Sequence, residues 1–301
     1  MNLFKEEISS WQDWGRLFQS INAFQPLAEY IMRKESLPQA VLKNLTPGTN
    51  AVFRAGDYVI KIFAPKESGN DQTPDMKTEI YASRRANLLG ISAPKVIAEG
   101  FVQDKYLFGY LITEYINGRE FIHAEKDMTA QMRFEAGRKL RNISDAMNTP
   151  CEHFNDIDIF SDSYINSRFT EFPESFRDER LSYIRNHRYS ESVFVHGDLF
   201  GDNALISDGG KLYIIDFADS VLAPVCYEYA LIAIDFFRFD KHLIKGFFGN
   251  IGREELTEIC FNGILIHNFG CGVIKEHIGR PEELNCLDDL RKRIYEKTAS
   301  L

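Results

Sequence analysis

The chain has 301 residues, 44% of them apolar, enough to build a core without disulfides or structural metals and to suggest about two domains. Its net charge of −9 speaks against a general nucleic-acid or anionic-membrane surface, which needs a basic field, and tolerates a cationic ligand. The opening MNLFKEEISSWQDW carries acids and no apolar run, no stretch approaches the roughly 18 apolar residues of a membrane span, and the scattered cysteines form no C-x-x-C pair; the expectation is a cytoplasmic protein with reduced thiols.

The first forty residues read as helical, with Leu17, Ile21, Phe24 and Ala28 at helical spacing and a break at Pro26. Ala51–Arg54, a turn at Ala55-Gly56-Asp57 and Tyr58–Phe63 read as a hairpin of β-branched and aromatic residues. Polar residues Glu67 to Thr73 form a loop, and Thr73-Pro74 suits the N-cap and first position of a helix running to about Leu89, stopped by Gly90 and Pro94. Strands are expected at Lys95–Ala98 and Tyr106–Glu114, followed by a turn at Asn117-Gly118.

Beyond that turn the character changes. Met128–Met147 is a long helix, and strands recur at Val193–Val195, Ala204–Ile206 and Lys211–Asp216, the last two joined by Ser207-Asp208-Gly209-Gly210. From Tyr227 onward helices dominate. The division expected is therefore a strand-rich half, residues 1–116, and a helix-rich half, residues 117–301.

The segment between two of these strands, His196-Gly197-Asp198-Leu199-Phe200-Gly201-Asp202-Asn203, concentrates acids and an amide where apolar residues flank on both sides. Asp216 follows Leu212-Tyr213-Ile214-Ile215, so hairpin pairing brings Asn203 and Asp216 to the same end of two strands. An amide oxygen beside a carboxylate is a hard-oxygen pair suited to Mg²⁺, which leaves its other positions to water and phosphate. Asp198, five residues before Asn203, is placed to hold a substrate hydroxyl. This is the division of labour of phosphoryl transfer.

The pattern H-G-D-x-x-x-x-N followed by strand-I-D-F resembles that of the aminoglycoside phosphotransferase and choline kinase superfamily, the small-molecule relatives of protein kinases. The resemblance runs from about Lys43 to Ile234. It implies an α+β, bilobal protein-kinase-like fold with an antiparallel-sheet N-lobe that binds nucleotide and a mainly helical C-lobe that carries the catalytic loop and binds the acceptor. It implies Asp198 as catalytic base, Asn203 and Asp216 as Mg²⁺ ligands, and His196 as a brace for the loop. Lys61, a charge inside an apolar strand, is the expected phosphate contact, paired with Glu79 on the following helix. Gly48, Thr49 and Asn50 stand where the nucleotide loop belongs, with one glycine rather than the three of protein kinases. Leu111–Gly118 resembles the hinge, with main-chain groups of Glu114 and Ile116 holding adenine. Glu228, in Tyr227-Glu228-Tyr229-Ala230, reads as an anchor and not as a catalytic acid.

The chain departs from the superfamily at Ala218, where protein kinases carry glycine after Asp-Phe, and in Arg138–Asn148, which lacks a leucine-histidine pair. Gly270-Cys271-Gly272 lacks the third glycine of a dinucleotide site, and His267 with Cys271 reads as helix core rather than a metal pair. The function implied is an ATP- and Mg²⁺-dependent kinase of a small hydroxyl-bearing molecule. An aminoglycoside, with a role in antibiotic resistance, is the first expectation; the acids Asp219, Glu228, Asp235 and Asp240 would attract such a cation. A metabolic alcohol such as choline, homoserine or a sugar is the alternative acceptor, and a catalytically silent kinase-like binding protein is the alternative from another class.

Overall fold

A computed structural model describes residues 2–300. The chain divides into two compact units, Met1–Asn117 and Gly118–Leu301.

In the first unit, α1 (Trp11–Leu17) and α2 (Ile21–Lys34) start at serine N-caps, Ser10 and Ser20, whose side chains accept from Asp13 and Ala23 amides. The expected break at Pro26 does not occur. Proline removes one helical donor, but α2 buries Phe24, Leu27, Ala28, Ile31 and Met32 along one stripe, and that burial holds the helix through it. The strands are β1 (Leu42–Asn44), β2 (Ala51–Ala55), β3 (Tyr58–Ile62), β4 (Val96–Gln103) and β5 (Leu107–Glu114), with α3 (Thr73–Leu88) between β3 and β4. They form an antiparallel sheet in the order β1-β2-β3-β5-β4. β4 is longer than its sequence suggests, because pairing along β5 carries it through Gly100 to Gln103. α3 is capped at Gln72, one residue earlier than expected.

Alternation along β3 sorts its side chains. Ile60 and Ile62 face the core made with Trp14, Phe24, Leu27, Phe53 and Phe108. Lys61 points the other way and pairs in register with Leu111, which packs with Phe63 and Met76 of α3.

In the second unit, β6 (Gly118–Glu120) begins at the glycine expected to close a turn. It is followed by α4 (Phe121–Ala124), α5 (Ala130–Met147), α6 (Asp162–Asn166) and α7 (Glu174–Asn186). Then come β7 (Ser192–Val195), β8 (Ala204–Ser207), β9 (Leu212–Ile214) and β10 (Val221–Pro224). β6, β8 and β9 make one small antiparallel sheet, and β7 pairs with β10 in another. The remaining helices are α8 (Val225–Leu231), α9 (Lys241–Phe248), α10 (Arg253–Ile266), α11 (Gly270–Val273) and α12 (Leu287–Lys297). α8 and α11 each run on into a π turn, Ile232–Phe236 and Ile274–Ile278. Among the described residues no helix is long and apolar enough to cross a membrane.

Candidate active site

Two strand pairings assemble the candidate catalytic loop. In the β7–β10 ladder Val195 lies opposite Val221, which carries the next residues, His196 and Gly197, alongside Asp219. In the β8–β9 hairpin Ala204 lies opposite Ile214, and the Ile215 amide donates to the Asn203 carbonyl at 3.0 Å, so Asp216 leaves its strand beside Asn203. His196 joins the two ladders. It is fully buried, its Nε2–H donates to the Ile215 carbonyl at 3.0 Å, and its Nδ1 accepts from the Asp198 amide at 3.3 Å. Burial lowers its pKa to about 4, so the ring is neutral and its hydrogen bonds fix the tautomer. This is a brace, and no proton carrier.

Gly197 adopts φ +82, and a Cβ at this position would collide with the Asp219 carbonyl oxygen. Its amide donates to Glu228 Oε2 at 3.1 Å. Glu228 is fully buried, and burial raises its pKa to about 7 against the opposing pull of the Gly197 and His196 amides. It serves the loop from below, as an anchor.

Asp198 follows. Asn203 Nδ2 donates both to the Asp198 carbonyl and to its Oδ2, each at 2.8 Å. With the amide nitrogen committed to Asp198, the Asn203 Oδ1 is the atom left to meet a cation. Burial, and then the like charges of Asp219, Asp216 and Asp202, raise the Asp198 pKa to about 8. Asp216 sits at φ +59, a left-handed conformation held for a non-glycine residue by the surrounding pairings. Crowded carboxylates with an oriented amide oxygen are a donor set that a divalent cation neutralises.

In the first unit, Lys61 Nζ lies 2.7 Å from Glu79 Oε2, and both residues are buried. Thr49 offers its carbonyl to the Trp14 indole N–H at 2.8 Å, while Asn50 is buried and its Oδ1 has no hydrogen-bond partner. Gly48 has open space around it. Glu114 ends β5 with its amide bonded to the Lys95 carbonyl at 2.9 Å, and Ile116 is buried just beyond.

Next to the catalytic loop the second unit holds a cavity of about 330 Å³, bordered among others by Asp156, Asp158, Tyr164, Arg168, Asp219 and Asn268. Of the four acids expected to draw a cation, Asp219 alone borders it. Glu228 faces the Gly197 amide, Asp240 caps α9 and pairs with Arg133 at 3.2 Å, and Asp235 pairs with His277 at 2.7 Å. Sequence reasoning missed Asp156, Asp158, Tyr164 and Arg168, which fall in one stretch without a motif, and Asn268, which comes from a distant segment. His267, also buried, stacks on Tyr227 at 4.0 Å and accepts from the Phe269 amide, a core role.

Residues 47–258 match the phosphotransferase enzyme family, APH. The chain belongs to that family. By that membership it is an enzyme that transfers phosphoryl groups. Solved structures with the same fold include choline kinase LicA from Streptococcus pneumoniae, 17% identical, with a TM-score of 0.58 over 91% of this chain and 100% of that one. An APH(2") enzyme in complex with GDP and kanamycin is 15% identical, with a TM-score of 0.59 over 92% and 99%. A choline/ethanolamine kinase family protein from Mesorhizobium loti is 19% identical, with a TM-score of 0.53 over 86% of each chain. The fold is thus the kinase-like one of these proteins. No curated protein sequence matches the chain.

Proposed function

We propose that this phosphotransferase moves the γ-phosphoryl group of ATP to a hydroxyl of a small molecule bound in the cavity that Asp219 borders. The observation that carries this reading is the Asn203 side chain, whose nitrogen holds Asp198 and whose oxygen is thereby left to meet a cation, with Asp216 set beside it by the hairpin register. Asn203 and Asp216 would hold Mg²⁺, which supplies neutralisation of phosphate charge. Asp198 orients the acceptor hydroxyl and takes its proton as the acceptor oxygen bonds to the γ-phosphorus and the bond to the β–γ bridging oxygen breaks, releasing ADP. Positioning and electrostatics supply most of the rate in such a site.

Within the first unit, Lys61 held by Glu79 is the proposed phosphate contact. The main chain at Gly48, Thr49 and Asn50, and at Glu114 and Ile116, is the proposed nucleotide loop and adenine contact. Three carboxylates bordering the cavity favour an acceptor with an ammonium group, and a volume of about 330 Å³ lies at the low end for ligand sites. That size favours a small amino alcohol over a multi-ring aminoglycoside, and a metabolic role over resistance.

The test is thermal unfolding of the purified protein with and without MgATP, followed by a phosphotransfer screen over aminoglycosides and small alcohols. An upward shift with MgATP, smaller when Mg²⁺ is chelated, is expected by mass action. No shift with any purine nucleotide at millimolar concentration would sink the reading.

A further inference from the structure

Trp14 of α1 is 1% exposed, in the core that α1 and α2 make with the sheet. A buried indole N–H needs an acceptor. This one donates to the Thr49 carbonyl at 2.8 Å, 35 residues on, in the connection between β1 and β2. The ring is fixed from behind: it meets Phe24 of α2 edge-on at 5.7 Å, and Phe24 lies 5.7 Å from Phe53 of β2. α1 also packs beside the turn Lys66–Ser68, which follows β3. Because Ala51 pairs with Ile62, that turn and the loop before β2 leave the sheet at the same end, and α1 reaches both.

The loop needs such a hold. Thr46 to Thr49 are exposed, and a Cβ at Gly48 would meet nothing within 4 Å. Asn50 at its base is buried, but its Oδ1 has no hydrogen-bond partner, so this side-chain oxygen does not tie the loop down. The indole does, at the last exposed residue before β2 begins. A trans peptide is planar, so holding the Thr49 carbonyl inward sets the plane of the Thr49–Asn50 peptide and with it the path of the chain through the exposed tip. The family match begins at residue 47, so Gly48 to Asn50 lie inside it and α1 outside.

We propose that α1 is a clasp on the nucleotide loop and that Trp14 is a positioning residue: by holding the Thr49 carbonyl it sets the main chain that meets the phosphates of the nucleotide. The inference rests on the proposed nucleotide site and adds to it a residue outside the family match. A loop ordered in advance loses less freedom when a ligand arrives, so the clasp is worth affinity. Phosphates are the part of the nucleotide given to Gly48, Thr49 and Asn50, whereas adenine is given to Glu114 and Ile116. Loss of the clasp is therefore felt by a nucleotide and not by a nucleoside.

The experiment titrates MgATP and adenosine into the full chain and its variants. The chain has two tryptophans, so Trp11→Phe leaves Trp14 as the sole indole fluorophore. In that protein the Trp14 emission should change saturably with MgATP, in step with binding measured by calorimetry, and stay unchanged with adenosine. Trp14→Phe keeps a ring in the core and removes the N–H. It should weaken MgATP binding by about 3- to 10-fold, the worth of one neutral hydrogen bond, and leave adenosine affinity within about twofold. Ile31→Val, a core change in α2, should leave both affinities alone. An equal loss for MgATP and adenosine in Trp14→Phe overturns the inference, since that is a general loosening of the unit. Unchanged MgATP affinity in a folded Trp14→Phe overturns it too, as does a Trp14 emission that ignores bound MgATP. If Trp14→Phe does not fold, the emission measurement decides alone. Each of these results leaves MgATP bound by the wild-type protein and the nucleotide site standing. A wild-type protein that binds no MgATP overturns the site and the clasp together.

Discussion

The Glu228 carboxylate accepts the Gly197 amide at 3.1 Å, so a fully buried acid near the start of α8 holds the backbone one residue before Asp198. Gly197 and Glu228 are 31 residues apart in sequence and meet through the β7–β10 ladder, whose strands lead directly into the loop and the helix.

This anchor titrates. Glu228 has a folded pKa of about 7 against an ordinary value of 4.5, and burial is the cause. An acid raised on folding favours the protonated form in the native state. Its contribution is fully present below about pH 4.5 and is lost as pH rises through about 7, a swing on the order of 3 kcal/mol. Glu228→Gln keeps an oxygen for the Gly197 amide and removes the titration. Chemical denaturation at a series of pH values should show the variant gaining on wild type as pH rises across this window. A difference independent of pH would show that the carboxyl does not titrate on folding.

Gly197→Ala meets two penalties in one position, the left-handed φ and the Asp219 carbonyl oxygen in the way of a Cβ. The backbone strain alone is worth about 1–3 kcal/mol, and the clash adds to it. We expect a lower denaturation midpoint and, because Asp198 is the next residue, turnover reduced by at least about 10-fold. An alanine variant with wild-type stability and rate would mean that the loop is far softer than its pairing implies.

The geometry of the candidate catalytic loop was legible in the sequence because its residues are local. H-G-D-x-x-x-x-N and the following Ile-Asp-Phe flank the two strands of one hairpin, whose register is set by a four-residue turn, so spacing along the chain translates into proximity. Lys61 was legible as a charge inside an apolar strand, since alternation decides which face it takes. The cavity bordered by Asp219 was not. Tyr164 and Arg168 arrive from one stretch and Asn268 from another a hundred residues on, and each alone is an ordinary polar residue. Nor does acidity reveal exposure: Glu228, Asp235 and Asp240 look alike on paper, and burial, a histidine and an arginine with a helix cap dispose of them separately. Pro26 misled for a related reason, since tertiary burial along α2 outweighs one lost hydrogen bond.

The Lys61–Glu79 pair offers a way to separate stability from function. At 2.7 Å and with both residues buried, it leaves a buried charge short of its close counter-charge when one partner is removed. Glu79→Ala should cost about 3–5 kcal/mol. Replacing both, as Lys61→Met with Glu79→Leu, removes the orphaned charge and should recover most of that loss, since apolar pairs often match buried ion pairs. Phosphotransfer should nevertheless stay at least about 100-fold down, because the proposed phosphate contact is gone. A stable double variant with near wild-type turnover would assign the pair to structure alone.

Asp198 and Asp216 sit close enough for each charge to oppose the other's, yet the proposed chemistry divides their labour. Asp198 should act on the acceptor hydroxyl, and Asp216 on the metal and through it the phosphates. Asp198→Asn keeps the shape, and the Asn203 amide can still donate to its oxygen, but the base is lost. A positioned base is worth about 10²–10⁴-fold in rate, so turnover should collapse by that factor while MgATP affinity moves little. Asp216→Asn removes a charged metal ligand, so it should weaken Mg²⁺-dependent nucleotide binding as well as turnover. Calorimetric titration of MgATP into both variants distinguishes them, because both are nearly silent in a turnover assay. Equal loss of nucleotide affinity in the two would place Asp198 on the metal rather than on the acceptor, and full activity in Asp198→Asn toward the true acceptor would remove it from the reaction altogether.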